Sequence, residues 1–139
     1  MTLYNIIQII KDIASKQPTV GSVNEGDVYA INSSPSVKYA NITITQTTHS
    51  QDEMFDNYSF HIFYTDRLVD DMEKNRLQIQ SIGKEVLSNI VTILEEKYNI
   101  EHQNISFQPF TQRFTDECAG MYITITLVAQ RDIICGELY

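Results

Sequence analysis

The chain has no tryptophan, two cysteines, three prolines and five glycines among its 139 residues. Each scarcity removes a class of protein. Cys118 and Cys135 stand alone, without the density or spacing of a disulfide scaffold, so reduced thiols in a reducing compartment are expected. None of the few glycines forms a phosphate-cradling loop, and no serine sits in a nucleophile elbow. No apolar run approaches the ~18 residues of a membrane span. Met1-Thr2-Leu3-Tyr4 puts no basic region ahead of its apolar residues, so no secretory leader is expected. Basic residues are few: 10 against 18 acidic, a formal net charge of −8. Such a surface opposes phosphate binding, because nucleic-acid affinity comes largely from Lys and Arg. It solubilises the protein, keeps it near nucleic acid without adhering, or meets a basic partner, and composition does not separate these.

The length suits one domain, and a hydrophobic fraction of 42% is ample for a single core. The longest periodic stretch runs from Asp70 to Tyr98 and predicts a helix starting between Asp70 and Asn75. Ile79, Ile82, Val86, Leu87, Ile90, Val91, Ile93 and Leu94 recur at helical spacing and fill roughly half the circumference. A band that wide suits a helix laid across a sheet better than a two-helix seam. Gly83 lies inside the band, where glycine costs ~1 kcal/mol relative to alanine. Close approach of this turn to the surface beneath it is the expected reason.

Ahead of that helix, Thr2 is positioned to cap a first helix reaching about Ser15. Its inner face is Leu3, Ile6, Ile7, Ile10, Ile13 and Ala14; Ile9 lies off it, exposed and a candidate subunit contact. Lys16-Gln17-Pro18 ends it. Thr19 to Asp27 reads as a connection with a turn at Asn24-Glu25-Gly26-Asp27. Strands are expected at Val28 to Ile31, at Lys38 to Thr47, where Ala40, Ile42 and Ile44 alternate with Asn41, Thr43 and Thr45, and at Tyr58 to Thr65. His49 to Asn57 is acidic around Met54 and Phe55 and reads as a loop longer than a tight hairpin needs. After the long helix, Asn104 to Phe110 alternates, with Pro109 marking an edge or strand end. Gln112 to Gly120 reads as a second polar loop. Met121 to Ala129 is the strongest strand, and Ile133-Ile134-Cys135 is a candidate for a short terminal addition outside the main element order. The class is α+β, a mainly antiparallel sheet with helices packed on it, in the order α-β-β-β-α-β-β.

The chemical inventory is thin. His49, His61 and His102 fall on a loop, a strand and a loop, and no pair has metal-site spacing. Cys118 follows Asp116-Glu117, whose carboxylates work against a thiolate, so it reads as an incidental loop thiol. Cys135 reads as a small buried hydrophobe. Asp70-Asp71 and Asp116-Glu117 lack the alternation of a calcium loop and read as solvated surface. No catalytic residue, metal ligand or cofactor is expected.

Several stretches resemble the neck and tail-completion proteins of tailed bacteriophages, the tail-terminator-like family found in phages of Bacteroidetes hosts. They are Val23-Asn24-Glu25-Gly26-Asp27-Val28-Tyr29, Ala40-Asn41-Ile42-Thr43-Ile44-Thr45-Gln46, Phe60-His61-Ile62-Phe63-Tyr64-Thr65-Asp66-Arg67-Leu68 and Leu77-Gln78-Ile79-Gln80-Ser81-Ile82-Gly83. The resemblance implies a non-enzymatic virion protein, assembled in the host cytoplasm into a homo-oligomeric ring between portal-connector and tail, with DNA passing through its lumen. It also implies contacts through sheet edges, hairpin loops and chain ends. By position these are Asp52, Met54, Phe55 and Asp56, then Arg113 and Phe114, then Ile134 and Tyr139. The alternative is a small α+β ligand-binding or enzymatic domain of a bacterial cytoplasmic protein, which needs groups such as His61 and Tyr64 facing one cavity. Their strand alternation sets these two on opposite faces.

Overall fold

The computed structural model describes residues 2–26, 40–68, 72–98, 100–102, 105–113 and 117–130. Its elements are α1 (Leu3–Ser15), β1 (Ser22–Glu25), β2 (Asn41–Gln51), β3 (Phe55–Arg67), α2 (Met72–Tyr98), β4 (Glu101–His102), β5 (Ser106–Arg113) and β6 (Glu117–Gln130). The class and order are those read from the sequence, with the two-residue β4 added. The six strands form one sheet in the order β1-β2-β3-β6-β4, and β5 pairs with β6 beside β4. Only β1–β2 is parallel; the other pairings are antiparallel.

Thr2 caps α1 as its type predicts, its hydroxyl accepting from the Asn5 N–H at 3.2 Å. Ile6, Ile7, Ile10, Ile13 and Ala14 are buried, each large side chain contributing ~1.5–3 kcal/mol of transfer free energy. Ile9 is not an exposed contact. It is partly buried against the core, and Tyr4, 69% exposed, is the outward apolar residue of this helix.

On the sheet face toward the core lie Ile42, Ile44, Phe60, Ile62, Tyr64, Met121, Ile123, Ile125 and Leu127, all buried. From α2 come Ile79, Val86, Leu87, Ile90, Val91 and Leu94. Ile82, expected in this band, is 41% exposed, and Ile93 is only partly buried. The buried band is therefore narrower than the sequence suggests, with Ile82 and Ile93 on its flank. Gly83 behaves as expected. A Cβ there would stand 2.9 Å from Tyr64 Cδ1 and 3.3 Å from Met121 Cβ, so the bare backbone lets this turn settle onto β3 and β6.

Several local expectations change. Residues read as a turn, Asn24 and Glu25, belong to β1, whose partner is β2 (Ser22↔Asn41 to Glu25↔Ile44). The attachment is polar. Asn41, fully buried, accepts at Oδ1 from Ser22 Oγ (2.8 Å) and Asn24 Nδ2 (2.9 Å) and donates to Thr43 Oγ1 (2.7 Å). Asn41→Ala removes the acceptor that ties a four-residue edge strand to the sheet. A loss of about 1–3 kcal/mol in urea denaturation is expected, with faster amide exchange in β1. The strand expected at Val28 to Ile31 lies outside the described residues.

The presumed long loop His49 to Asn57 is a close hairpin: β2 runs to Gln51 and β3 starts at Phe55. The register shifts between Gln46 and His49, and the ring of His49 repairs the shift. Its Nδ1 accepts from the Ser59 N–H at 3.3 Å, which leaves Nε2 to donate to Gln46 Oε1 at 3.1 Å. His102 likewise lies in a strand, β4, rather than a loop. The second polar loop shrinks too, since β5 extends to Arg113 and β6 starts at Glu117, the two paired in register. Cys118 is accordingly a buried strand residue, 2% exposed, and not a loop thiol. Cys135 and the terminal strand 133–135 lie outside the described residues.

Candidate functional site

The site residues drawn from the sequence separate into one tip and scattered positions. At the β2–β3 turn, Asp52 Oδ1 accepts from the backbone N–H of Met54 (2.9 Å) and of Phe55 (2.7 Å), and its own N–H donates to Phe55 O (3.0 Å). This side-chain-closed turn fixes the backbone of the tip. Gln51 Nε2 donates to Asp56 Oδ1 at 2.8 Å just behind it. Met54 is 53% exposed and Phe55 40%. The structure therefore brings Asp52, Met54, Phe55 and Asp56 together on one rigid apolar tip with acidic flanks. Arg113 sits elsewhere, at the end of β5. Phe114, Ile134 and Tyr139 lie outside the described residues.

His61 and Tyr64 point to opposite sheet faces, as alternation requires. Tyr64 is buried in the helix-covered face, and burial pushes its hydroxyl pKa up. His61 lies on the other face, its Nδ1 3.3 Å from Thr124 Oγ1. No shared cavity joins them. The face carrying His61 holds a feature missed in the sequence. Phe63 stacks on Tyr122 with centroids 5.0 Å apart, Phe110 meets Phe63 edge-on at 5.8 Å, and His61 lies 5.5 Å from Tyr122. Tyr122 and Phe63 are register partners and Phe110 pairs with Gly120, so alternation phase alone could have gathered them. The four rings are half-buried against one another. Thr65 Oγ1 on the same face is buried without a hydrogen-bond partner.

Titratable groups are dispersed. His102 Nε2 meets Glu95 Oε1 at 2.5 Å beside a cleft of about 330 Å³ lined by Glu95, Ile100, Glu101 and His102. Among the described residues no group of three or more His, Cys, Asp or Glu could hold a metal ion, and no helix is long and apolar enough to cross a membrane. Asp66, at the helix-covered end of β3, has its pKa raised by burial, opposed by the hydrogen bond from the Arg67 N–H at 2.8 Å. A carboxyl with a raised native pKa binds protons more readily folded than unfolded. Its contribution favours the fold as pH falls through the raised value toward 3.8, and is lost as pH rises. Asp66→Asn is therefore expected to raise stability at neutral pH and to flatten the pH dependence in the acid range, read by denaturation at several pH values.

Neither the family models nor the curated proteins contain a match to this chain. Among solved structures it is similar to the core region of PilO from the type IV pilus system of Pseudomonas aeruginosa. The identity is 11%, over 65% of this chain and 76% of that one, with a TM-score of 0.34. A likeness at that level carries no functional argument.

Proposed function

We propose that this chain is a structural subunit of the head–tail neck of a tailed bacteriophage, a tail-terminator, completion or connector protein that assembles as a homo-oligomeric ring. The observation that supports the reading is the rigid β2–β3 tip, where Asp52 accepts two hydrogen bonds and donates one within the turn that holds two large apolar side chains in solvent. Two adjacent, half-exposed apolar side chains on a fixed backbone offer a contact for another chain with little ordering left to lose on docking. The stretches that resemble the phage family supply the platform behind that tip. Val23 to Glu25 lies in β1, Asn41 to Gln46 in β2, Phe60 to Arg67 in β3, and Leu77 to Gly83 in the first half of α2. In the ring, the excess of acidic residues lets DNA pass through the lumen without adhering, and portal-connector and tail proteins are the axial neighbours. The virion neck is the corresponding location. Incubation with portal and tail-tube proteins, followed by negative-stain microscopy, tests the assignment. Rings seated on either platform support it; absence of binding to both, with no ring alone, refutes it.

A further inference from the structure

β2 is held differently at its two ends. β1 pairs with it only from Asn41 to Ile44, so among the described residues the outer arm of β2 is paired with β3 alone. From Gln46 to Gln51 every side chain of that arm is exposed except His49, which is half-buried. Its ring stands edge-on to Tyr58 with centroids 5.5 Å apart, and 5.7 Å from the ring of Phe60. The other side-chain ties of the arm, Gln51 to Asp56 and Asn57 to Ser50, are open to water. At the register shift Gln46 pairs with Phe60 and His49 with Tyr58, so Thr47 and Thr48 together face Ser59.

The hydrogen bonds around His49 run in one direction. The Ser59 N–H donates to Nδ1 at 3.3 Å, and a backbone amide can only donate, so the ring proton sits on Nε2. Nε2 then donates to Gln46 Oε1 at 3.1 Å, which turns the Gln46 amide nitrogen toward Glu25 Oε1 at 3.0 Å. The chain thus passes from β3 through β2 to β1 and leaves no place for a second proton on the imidazole. A protonated Nδ1 would set one N–H against another. We propose that His49 is an acid-released latch: proton uptake breaks its bond to Ser59 and frees the outer arm of β2 from β3. The β3 side of the hairpin stays in place, because it is paired with β6 from Phe55↔Gln130 onward.

The charged and titratable groups around the ring come from several elements. Glu25 of β1 reaches it through Gln46, and Asp56 of β3 lies on the same face as Tyr58, held by Gln51. Tyr4 and Lys11 of α1 line a cleft with Glu25 and Gln46. From β6, the partners of Tyr58 and Phe60 are the uncharged Leu127 and Ile125. The two carboxylates favour an imidazolium, and the Ser59 N–H excludes it for as long as the arm is latched. The latched arm therefore refuses a proton that the free arm accepts, so latching strengthens as pH rises and is lost as pH falls. The turn that carries Met54 and Phe55 joins this arm to β3, and acid removes one of its two supports. The latch goes beyond the ring reading and does not depend on it.

Imidazole nuclear magnetic resonance and amide hydrogen exchange on the full chain test the latch, from pH about 8 to about 5, where an imidazole ordinarily changes charge. His49→Asn and His61→Asn are measured alongside. At the upper end His49 is expected as the Nε2–H tautomer. Protection of the Ser59 amide, corrected for intrinsic exchange, should fall roughly three- to tenfold along the His49 titration. The amides of Thr47 to Gln51 should follow it, while those of Ile123 and Ile125 in β6 hold. The step should persist in His61→Asn and vanish in His49→Asn. An Nδ1–H tautomer, flat protection at Ser59, a parallel loss in β6 or a step that survives in His49→Asn would each overturn the latch. If His49→Asn does not fold, the tautomer and titration of the wild-type chain decide, whatever its oligomeric state.

Discussion

Gly120→Ala is expected to destabilise the protein by more than about 4 kcal/mol, enough to unfold much of an ordinary small domain. β6 lies between β3 and β5, and Gly120 is the register partner of Thr65 on one side and Phe110 on the other. A Cβ on Gly120 would fall 1.8 Å from the Tyr64 carbonyl oxygen, 2.9 Å from its carbonyl carbon and 3.0 Å from Phe110 Cζ. A swing of the Phe110 ring relieves the last contact. The first two involve backbone, and relieving them means parting β3 from β6 in a ladder that runs unshifted from Phe55↔Gln130 to Arg67↔Cys118. Overpacking among side chains costs about 1–3 kcal/mol; a backbone obstruction in the central ladder exceeds that range. Urea denaturation followed by far-ultraviolet circular dichroism reads the effect. A loss under about 1 kcal/mol would mean that β3 and β6 separate here far more easily than this register allows.

Tyr64→Ala comes next, at about 3–5 kcal/mol by analogy with other large aromatic deletions. Tyr64 is 2% exposed, its ring is the nearest group beneath Gly83 and its carbonyl is the nearest group to Gly120. The same contact decides the sign of a change at Gly83. Alanine for glycine in a helix interior is worth ~1 kcal/mol, but a Cβ 2.9 Å from Tyr64 Cδ1 meets a ring with no room to withdraw. Gly83→Ala is therefore expected to be destabilising in the native background. In the Tyr64→Ala background the ring contact is gone and Met121 Cβ, 3.3 Å away, is what remains, so the same substitution should cost much less. A double-mutant cycle measures this difference as a coupling energy. Additive effects of the two changes would show that the ring does not set the helix height over the sheet.

Both predictions depend on features with different visibility in the sequence. Gly83 was legible because a glycine inside a long apolar stripe is costly unless something approaches closely. Gly120 read only as punctuation before a strand, since its meaning comes from Tyr64, far away in the chain. Both helices and the strands centred on β3 and β6 followed from periodicity, because each has one buried face. β1 did not: Ser-Val-Asn-Glu between two glycines has turn composition, and it is a strand because β2 and the Asn41 side chain hold it there. The hairpin was misread as a loop because Thr47 to Gln51 is mostly solvent-exposed, which erases the alternation that marks a strand. Asp116-Glu117 has loop composition, which hid the start of β6 and Cys118 with it. At the tip, Asp52, Met54, Phe55 and Asp56 are neighbours in the sequence already, but nothing in it shows that Asp52 closes the turn.

A chain that works as a repeated subunit, as proposed, reveals it in its mass in solution. Sedimentation velocity of the full chain should be measured over a wide concentration range, alone and with portal and tail-tube proteins added. A single closed oligomer of defined mass is expected, formed by the chain alone or on a platform, and visible as a ring by negative stain. A monomer at every concentration that also ignores both platforms would contradict it.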